Sequence, residues 1–235
     1  MKLLTRIAPS LFLLLFLIGC ASSNITARQE YTGGKIARPD HILVYDFAAT
    51  SADVPPGSAI AGQYSEHSTP QTPDQIDSGR RVGAKIAQVL VEEIRGMGLP
   101  AERANYGTAP KIGDLVIRGY ILSIDEGSAA KRVAIGFGSG ASHLKTTVEG
   151  YLMTERGLKR LGSGTDETGG SKSPGTAVAA VGAIATANPA GLIISSAMKV
   201  HGEASGSSAI EGRAEQTAKD IAQELQKKFN EQGWI

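Results

Sequence analysis

The sequence predicts an α/β fold: a layered sheet of about four to five strands, two amphipathic helices, and an added helical segment rich in Ala and Gly. Three observations support this prediction. Apolar and β-branched runs are typical of strands, two stretches place apolar residues at helical spacing, and the strands cluster in the middle of the chain. A chain of 235 residues with 41% hydrophobic and 20% charged residues has the composition of a globular protein that buries a core.

Several strands are predicted from short apolar runs. Residues 42–48 form a near-continuous apolar run, which indicates a strand buried on both faces. Residues 115–124 and 146–153 are rich in β-branched and aromatic residues. Both contain the order charge, Gly, Tyr, aliphatic, so we expect antiparallel neighbours in which Gly lets a partner approach closely. A further strand is expected at about residues 158–163, before a loop at 162–173, and a long irregular loop is expected at residues 50–73.

Two amphipathic helices are predicted from apolar residues three or four positions apart. The first is capped by Asp74, ends near Gly96 and Gly98, and has as its apolar face Val82, Ile86, Val89, Leu90, Ile94 and Met97. The second begins at a capping box in residues 208–211, ends at Gly233, and has as its apolar face Ala214, Ala218, Ile221, Leu225 and Phe229.

The N-terminus has the features of a bacterial lipoprotein signal in residues 1–19. Lys2 and Arg6 precede the apolar run 11–18, which is shorter than the ~20 residues that cross a bilayer. The sequence Leu17-Ile18-Gly19-Cys20 looks like a lipobox, in which the cysteine sulfur receives a lipid before cleavage. The alternative is an unmodified Cys20 beside an ordinary export signal. Stable anchoring takes two or more acyl chains.

The residues after Cys20 indicate where the protein resides. Ala21 and Ser22 stand where an inner-membrane retention signal usually has Asp, so we expect an outer-membrane lipoprotein that faces the periplasm. Residues 20–40 are polar and without periodicity, which predicts a lipidated N-terminus and flexible tether. We expect residues 41–235 to form one periplasmic α/β domain, which includes the Ala- and Gly-rich segment 175–198.

Charge and cysteine content exclude several classes of function. Without Lys2 and Arg6 the chain keeps 22 basic residues (24 minus 2) against 23 acidic ones, which argues against a nucleic-acid partner. A single cysteine excludes an internal disulfide and a thiolate zinc cluster. The four histidines are scattered and lack the spacing of metal ligands, so we expect no metal site. They are His41, His67, His143 and His201.

A glycine-rich loop satisfies the letters of a dinucleotide-binding fingerprint. A strand follows it where that fingerprint needs a helix, so we expect no cofactor and interpret it as a flexible connection or a contact loop. The possible contact residues are Gly136, Phe137, Gly138, Ser139 and Gly140. Asp46, Asp125 and Glu126 are candidates for a carboxylate pair, but a nucleophile and an oxyanion partner are missing, so we expect no catalytic residues and no enzyme.

Residues 175–198 contain no charge and consist mostly of Ala, Gly, Val and Ile. Small residues recur every fourth position in a helical stripe, interrupted by Asn188-Pro189: Gly175, Ala179, Ala183, Ala187, Gly191 and Ser195. Two interpretations remain open. The segment is a helical hairpin packed on its own domain, or it pairs with copies of itself or touches the bilayer.

Together these features resemble a family of bacterial lipoproteins catalogued as domain of unknown function 4410. The resemblance covers nearly the entire mature chain and implies no reaction, ligand or catalytic residue. A weaker similarity is to periplasmic secretion lipoproteins such as the curli export lipoprotein. The matching features are the lipobox, Ile-Leu-Val-Tyr-Asp-Phe at 42–47, the loop 135–142, Glu149-Gly150-Tyr151, Asn-Pro-Ala-Gly at 188–191, and Gly-Glu-Ala-Ser-Gly-Ser at 202–207 leading to Trp234.

Two hypotheses of function follow. The first is a non-enzymatic outer-membrane lipoprotein that acts as an assembly or accessory factor, through self-association or an envelope protein partner. The second is a periplasmic ligand-binding module that uses the loop 136–142.

Overall fold

The computed structural model of the chain describes residues 22–54, 71–105, 107–125, 142–169 and 204–235. Its regular elements include strands, helices and one 3-10 turn. In chain order these are β1 (Ser22–Gln29), β2 (Ile42–Tyr45), the 3-10 turn (Ser51–Asp53), α1 (Pro73–Gly96), β3 (Ala101–Ala104), β4 (Leu115–Asp125), β5 (His143–Thr154), β6 (Gly157–Gly169) and α2 (Ala204–Gln232).

The strands of the described residues form one mixed six-stranded sheet in the order β1-β6-β5-β4-β2-β3. β2 pairs in parallel with β3 and β4, whereas β4, β5, β6 and β1 pair antiparallel. This confirms the α/β fold class. It also confirms that the two Gly-Tyr strands are antiparallel neighbours, since Arg118 lies opposite Glu149 in their register.

Three strand predictions needed correction. Residues Ser22–Gln29, assigned to the flexible tether, form β1, and β6 continues to Gly169 through most of the predicted loop 162–173. β3 was not predicted, and its four residues are too few for a periodic signal. β1 and β6 are polar strands joined by backbone pairing, which a hydrophobic pattern does not reveal.

The helices begin at residues other than those predicted. Thr72, not Asp74, caps α1: its hydroxyl accepts a hydrogen bond from the Gln75 backbone N–H at 3.3 Å, and the Gln75 side chain accepts from the Thr72 N–H at 2.8 Å. Pro73 occupies the first turn, where its missing N–H costs nothing. α2 begins at Ala204, before the predicted capping box at 208–211. Its end before Gly233 is confirmed, and that glycine has φ +78.

Both helices pack on the same face of the sheet and make the main core. The predicted apolar faces of both helices are buried there or packed against the core, together with alternate residues of β2 and β4. The opposite face carries a smaller apolar cluster to which neither helix contributes: Leu43, Tyr45, Ala104, Val116 and Tyr151.

Close approach at glycine explains one of the two Gly-Tyr motifs. A Cβ at Gly119 would lie 2.3 Å from the ring of Phe47, which crosses directly over it. A Cβ at Gly150 would meet nothing within 4 Å. A close neighbour does require glycine at position 119, but that neighbour is the ring of Phe47 and not the paired strand. At Gly150 the prediction of a close neighbour is wrong.

Candidate functional site

Most of the predicted site residues lie outside the described part of the chain. These are the lipobox residues Leu17, Ile18, Gly19 and Cys20, the loop residues Gly136, Phe137, Gly138, Ser139 and Gly140, the segment 175–198, and His67, Glu126 and His201. Their roles stay predictions. What the fold does provide is the position from which each of these segments departs.

One end of the sheet gathers the departure points of all three predicted segments. Ser22, the first residue of β1, lies opposite Gly169 at the end of β6, and Gly169 also lies opposite His143 at the start of β5. His143 in turn pairs with Asp125 at the end of β4. Residues 126–141 and 170–203 therefore both join the fold at the end where the chain enters from Cys20, two residues before Ser22.

Of the three carboxylate candidates, the two in the described residues, Asp46 and Asp125, are not brought together. Asp46 forms a two-point ion pair with Arg103, whose Nη2 donates to Asp46 Oδ2 at 2.7 Å. Ala48, two residues after Asp46, forms a β-bridge with Tyr120 of β4. Asp125 lies five residues beyond Tyr120, which is ~15 Å along the strand from that bridge. His41 contacts Asp114 at 3.3 Å. Within the described ranges, no group of three or more His, Cys, Asp or Glu side chains has a metal-binding arrangement.

Because Asp53 forms an ion pair with Arg80, we expect the free energy of unfolding to fall as the pH becomes acidic. Burial alone would raise the pKa of Asp53, but hydrogen bonds from Arg80 and Thr50 outweigh it and hold the pKa below its usual range. A carboxyl whose pKa is lowered by folding contributes stability above its unfolded pKa of ~3.9, and this contribution is lost as pH falls through the folded value. We expect Asp53→Asn to lower the free energy of unfolding at pH 7 and to flatten its decline below about pH 4. Urea unfolding from neutral to acidic pH tests this; parallel curves for the two proteins would contradict it.

A buried polar cluster lies on the sheet face that the helices leave open. Arg118 is only 9% exposed, and its guanidinium carbon lies 5.5 Å from the ring centre of Tyr45 and 5.6 Å from that of Tyr151. Both distances are within cation–π range. The Tyr151 hydroxyl donates to Glu149 Oε2 at 2.6 Å. Burial raises the pKa of Tyr45, with Arg118 opposing and Asp114 adding to the shift.

The enclosure of this cluster indicates a structural role. Glu149 is 2% exposed, and its other carboxylate oxygen lies 3.9 Å from Arg160 Nη1. Nε and Nη1 of Arg118 are buried and have no hydrogen-bond partner among the described residues. The rings of Tyr45 and Tyr151 lie within cation–π distance of the guanidinium on this face. The signal in the sequence was an arginine inside the apolar run 115–124, which only a stacked or paired environment tolerates.

A cavity of about 200 Å³ lies between α2 and the sheet. Its walls are mainly apolar and combine residues of β4, β5 and β6 with the C-terminal helix and Trp234. Charged side chains at its edge, including Glu30, Lys228 and Glu231, are largely exposed and mark its mouth. Aromatic and aliphatic side chains line the interior: Tyr31, Leu115, Ile117, Val148, Leu161, Leu225, Phe229 and Trp234.

Glycines form the floor of this cavity. Gly162 and Gly164 alternate along β6, and Gly150 of β5 lies directly opposite Gly162. Side chains alternate between the faces of a strand, so all three positions face α2 without a side chain. The sequence shows this signal as Gly-Ser-Gly at 162–164, but strand pairing was needed to bring Gly150 beside it.

Neither helix of the described residues combines the length and the apolar character needed to span a membrane. Two solved structures with a similar chain course are dodecamers of PelC from Paraburkholderia phytofirmans, one of them a leucine-to-methionine variant, each with a TM-score of 0.37. They are 16% and 14% identical, and each alignment covers 72% of this chain and 96% of PelC. No curated protein matches the sequence.

The family model described as domain of unknown function (DUF4410) matches residues 42–187, which span β2 to β6 and the residues beyond. This range is more than half of the chain, and it agrees with the resemblance seen in the sequence motifs. The chain belongs to the DUF4410 family.

Proposed function

We propose that the chain is a lipid-anchored outer-membrane lipoprotein that faces the periplasm and acts without catalysis, as an assembly or accessory factor through self-association or an envelope protein partner. The observation that carries this proposal is the distance along the chain between anchor and fold. β1 begins at Ser22, two residues after Cys20. A lipid on that cysteine would hold the end of the sheet close to the bilayer surface.

The geometry of that end of the sheet supports a role in contacting other protein molecules. The loop 136–140 and the small-residue segment 175–198 both join the fold at the end of the sheet where Cys20 would be anchored. Anchoring would place the points from which both segments leave the fold, at Asp125 and Gly169, beside the membrane and beside neighbouring anchored copies. A smooth stripe of small residues suits close packing of one helix on another.

Substituting Cys20 tests the anchor. In Cys20→Ser we expect loss of acylation, accumulation of the uncleaved precursor, and loss of the protein from the outer-membrane fraction, because the hydroxyl is not the nucleophile that accepts the lipid. Palmitate labelling and membrane fractionation measure this, with Ser22→Ala as the control that keeps the thiol. Unchanged labelling and fractionation in Cys20→Ser would contradict the proposal.

Crosslinking in the same intact cells tests the accessory role. We expect wild-type protein to give crosslinked products with copies of itself or with another envelope protein, and a chain without residues 175–198 to lose them while it remains acylated. Identical products from both chains would remove the small-residue segment from the proposal. No product from either chain would remove the accessory role.

The second hypothesis, a ligand-binding module built on the loop 136–142, has one described residue. The Ser142 hydroxyl accepts a hydrogen bond from Arg213 Nε at 3.1 Å, which ties the end of this loop to α2. The cavity beneath α2 also favours a ligand-binding role, but it does not involve the loop 136–142. Its walls include β5, β6 and the C-terminal residues.

A further inference from the structure

We infer that Arg118 binds a small carboxylate anion at the edge of its guanidinium, as a fixed part of the folded protein. Arg118 is 9% exposed, and its Nε and Nη1 are buried without an acceptor among the described residues. A guanidinium keeps its charge in proteins, and a buried charge without a partner strongly destabilises a fold. An anion taken up from solution would remove this cost.

The carboxylate that strand register places beside Arg118 is engaged elsewhere. Glu149 lies opposite Arg118 in the pairing of β4 and β5. Its Oε2 accepts the hydrogen bond from the Tyr151 hydroxyl at 2.6 Å, and its Oε1 lies 3.9 Å from Arg160 Nη1. Glu149 therefore has donors of its own, and neither buried nitrogen of Arg118 donates to it.

Asp114, the residue before β4, is a second buried carboxylate and is engaged as well. Its Oδ2 accepts a hydrogen bond from the Lys111 backbone N–H at 2.7 Å, and its Oδ1 contacts His41 Nδ1 at 3.3 Å. With both acidic residues engaged, the described residues leave Arg118 to a bound anion.

The surroundings of the guanidinium favour a carboxylate as that anion. The guanidinium carbon lies over the rings of Tyr45 and Tyr151, and these contacts leave the N–H donors without acceptor atoms. Two carboxylate oxygens match two N–H donors along a guanidinium edge. One negative charge also balances one positive charge, whereas a doubly charged sulfate would add a second charge that is costly to bury.

Burial limits the ligand to a small one. Arg118, Tyr45 and Tyr151 are all buried, so the cluster does not admit the surface of a partner protein. The side chain of Arg160 is 37% exposed beside Glu149, so the cluster reaches the protein surface on the side of β6. A small monocarboxylate such as acetate has the size and charge for this position.

The inference goes beyond the proposed function, because a site on the sheet does not depend on acylation of Cys20. Thermal unfolding of the full mature protein in detergent tests it, with sodium acetate compared with sodium chloride at equal ionic strength. At ten times its dissociation constant, a ligand of the folded protein should raise the unfolding midpoint by about 3–6 °C, along a binding curve.

We expect this saturable rise in the wild type and its loss in Arg118→Met, which keeps an unbranched apolar stem but has no N–H donors. Arg156→Met is the matched control. Arg156 is exposed in the turn between β5 and β6, so its replacement removes the same charge away from the cluster and should leave the rise unchanged.

Equilibrium dialysis with radiolabelled acetate measures binding directly and needs no Arg118→Met protein. We expect one acetate to bind per wild-type chain. Arg118→Lys keeps the charge but lacks the planar set of donors, so it should bind acetate about tenfold more weakly.

Three results would overturn the inference. The first is a wild type with no saturable response to acetate and no bound label. The second is an Arg118→Met protein that responds like the wild type; if this variant does not fold, equal acetate affinity in Arg118→Lys and the wild type counts in the same way. The third is binding of sulfate but not of acetate, because the site would then select a double charge.

Discussion

Replacing Gly83 with alanine is expected to destabilise the protein by about 1–3 kcal/mol, the range for overpacking a close contact. A Cβ at Gly83 would lie 2.1 Å from the carbonyl oxygen of Phe47. That oxygen belongs to the backbone, so a side-chain rotation cannot relieve the clash. The Phe47 N–H also donates to the Gly83 carbonyl at 3.3 Å, and moving α1 away would lengthen this bond.

The same substitution at Gly212 is the matched control for Gly83. Gly212 is exposed on α2, and a Cβ there would meet nothing within 4 Å. Alanine is favoured over glycine inside a helix by ~1 kcal/mol, so Gly212→Ala should raise the free energy of unfolding. Urea unfolding of both variants measures the two effects. Changes of the same sign would contradict the close contact between α1 and the chain after β2.

Truncating Ile117 to alanine is expected to cost about 2–5 kcal/mol, the range for removing a large aliphatic side chain from a packed core. Ile117 is 1% exposed, lies near the start of β4 and belongs to the core beneath the helices. It also lines the cavity, so the truncation should enlarge that space, and the cost grows with the volume left empty.

Ile112 provides the control for Ile117. It lies five residues earlier and is 67% exposed, so Ile112→Ala removes the same atoms without leaving a hole. We expect its effect to stay within ~0.5 kcal/mol. Denaturant midpoints with unchanged slopes measure both variants. Similar costs at the two positions would contradict the burial of Ile117.

Elements with a strong hydrophobic period were predicted well. The faces of α1 and α2 follow a 3.6-residue period, and burial of that face is the main reason that a helix is stable in a protein. The apolar run from Ile42 and the two Gly-Tyr strands were recognised from their composition, because buried strands are rich in apolar, β-branched and aromatic residues. The fold class and the pairing of the Gly-Tyr strands could therefore be predicted where burial leaves a recognisable pattern in the sequence.

Polar elements escaped prediction because backbone hydrogen bonds hold them. β1 reads Ser-Ser-Asn-Ile-Thr-Ala-Arg-Gln, with a single large apolar residue, yet it pairs with β6 along most of its length. The start of α1 was misplaced by two residues because Thr72, Asp74 and Gln75 all suit a helix start, and only the mutual bonds of Thr72 and Gln75 distinguish them.

The α/β class, the faces of the two helices, the antiparallel Gly-Tyr pair and the family could all be derived from the amino-acid sequence alone. It also carries the lipobox prediction, which depends on local chemistry at Cys20 and not on the fold. The cavity and the buried Arg118 cluster could be recognised only from the folded arrangement of the strands and helices. The physical reason is that Gly150 and Gly162, or Arg118 and the rings of Tyr45 and Tyr151, become neighbours only through strand register, which joins residues far apart in the chain.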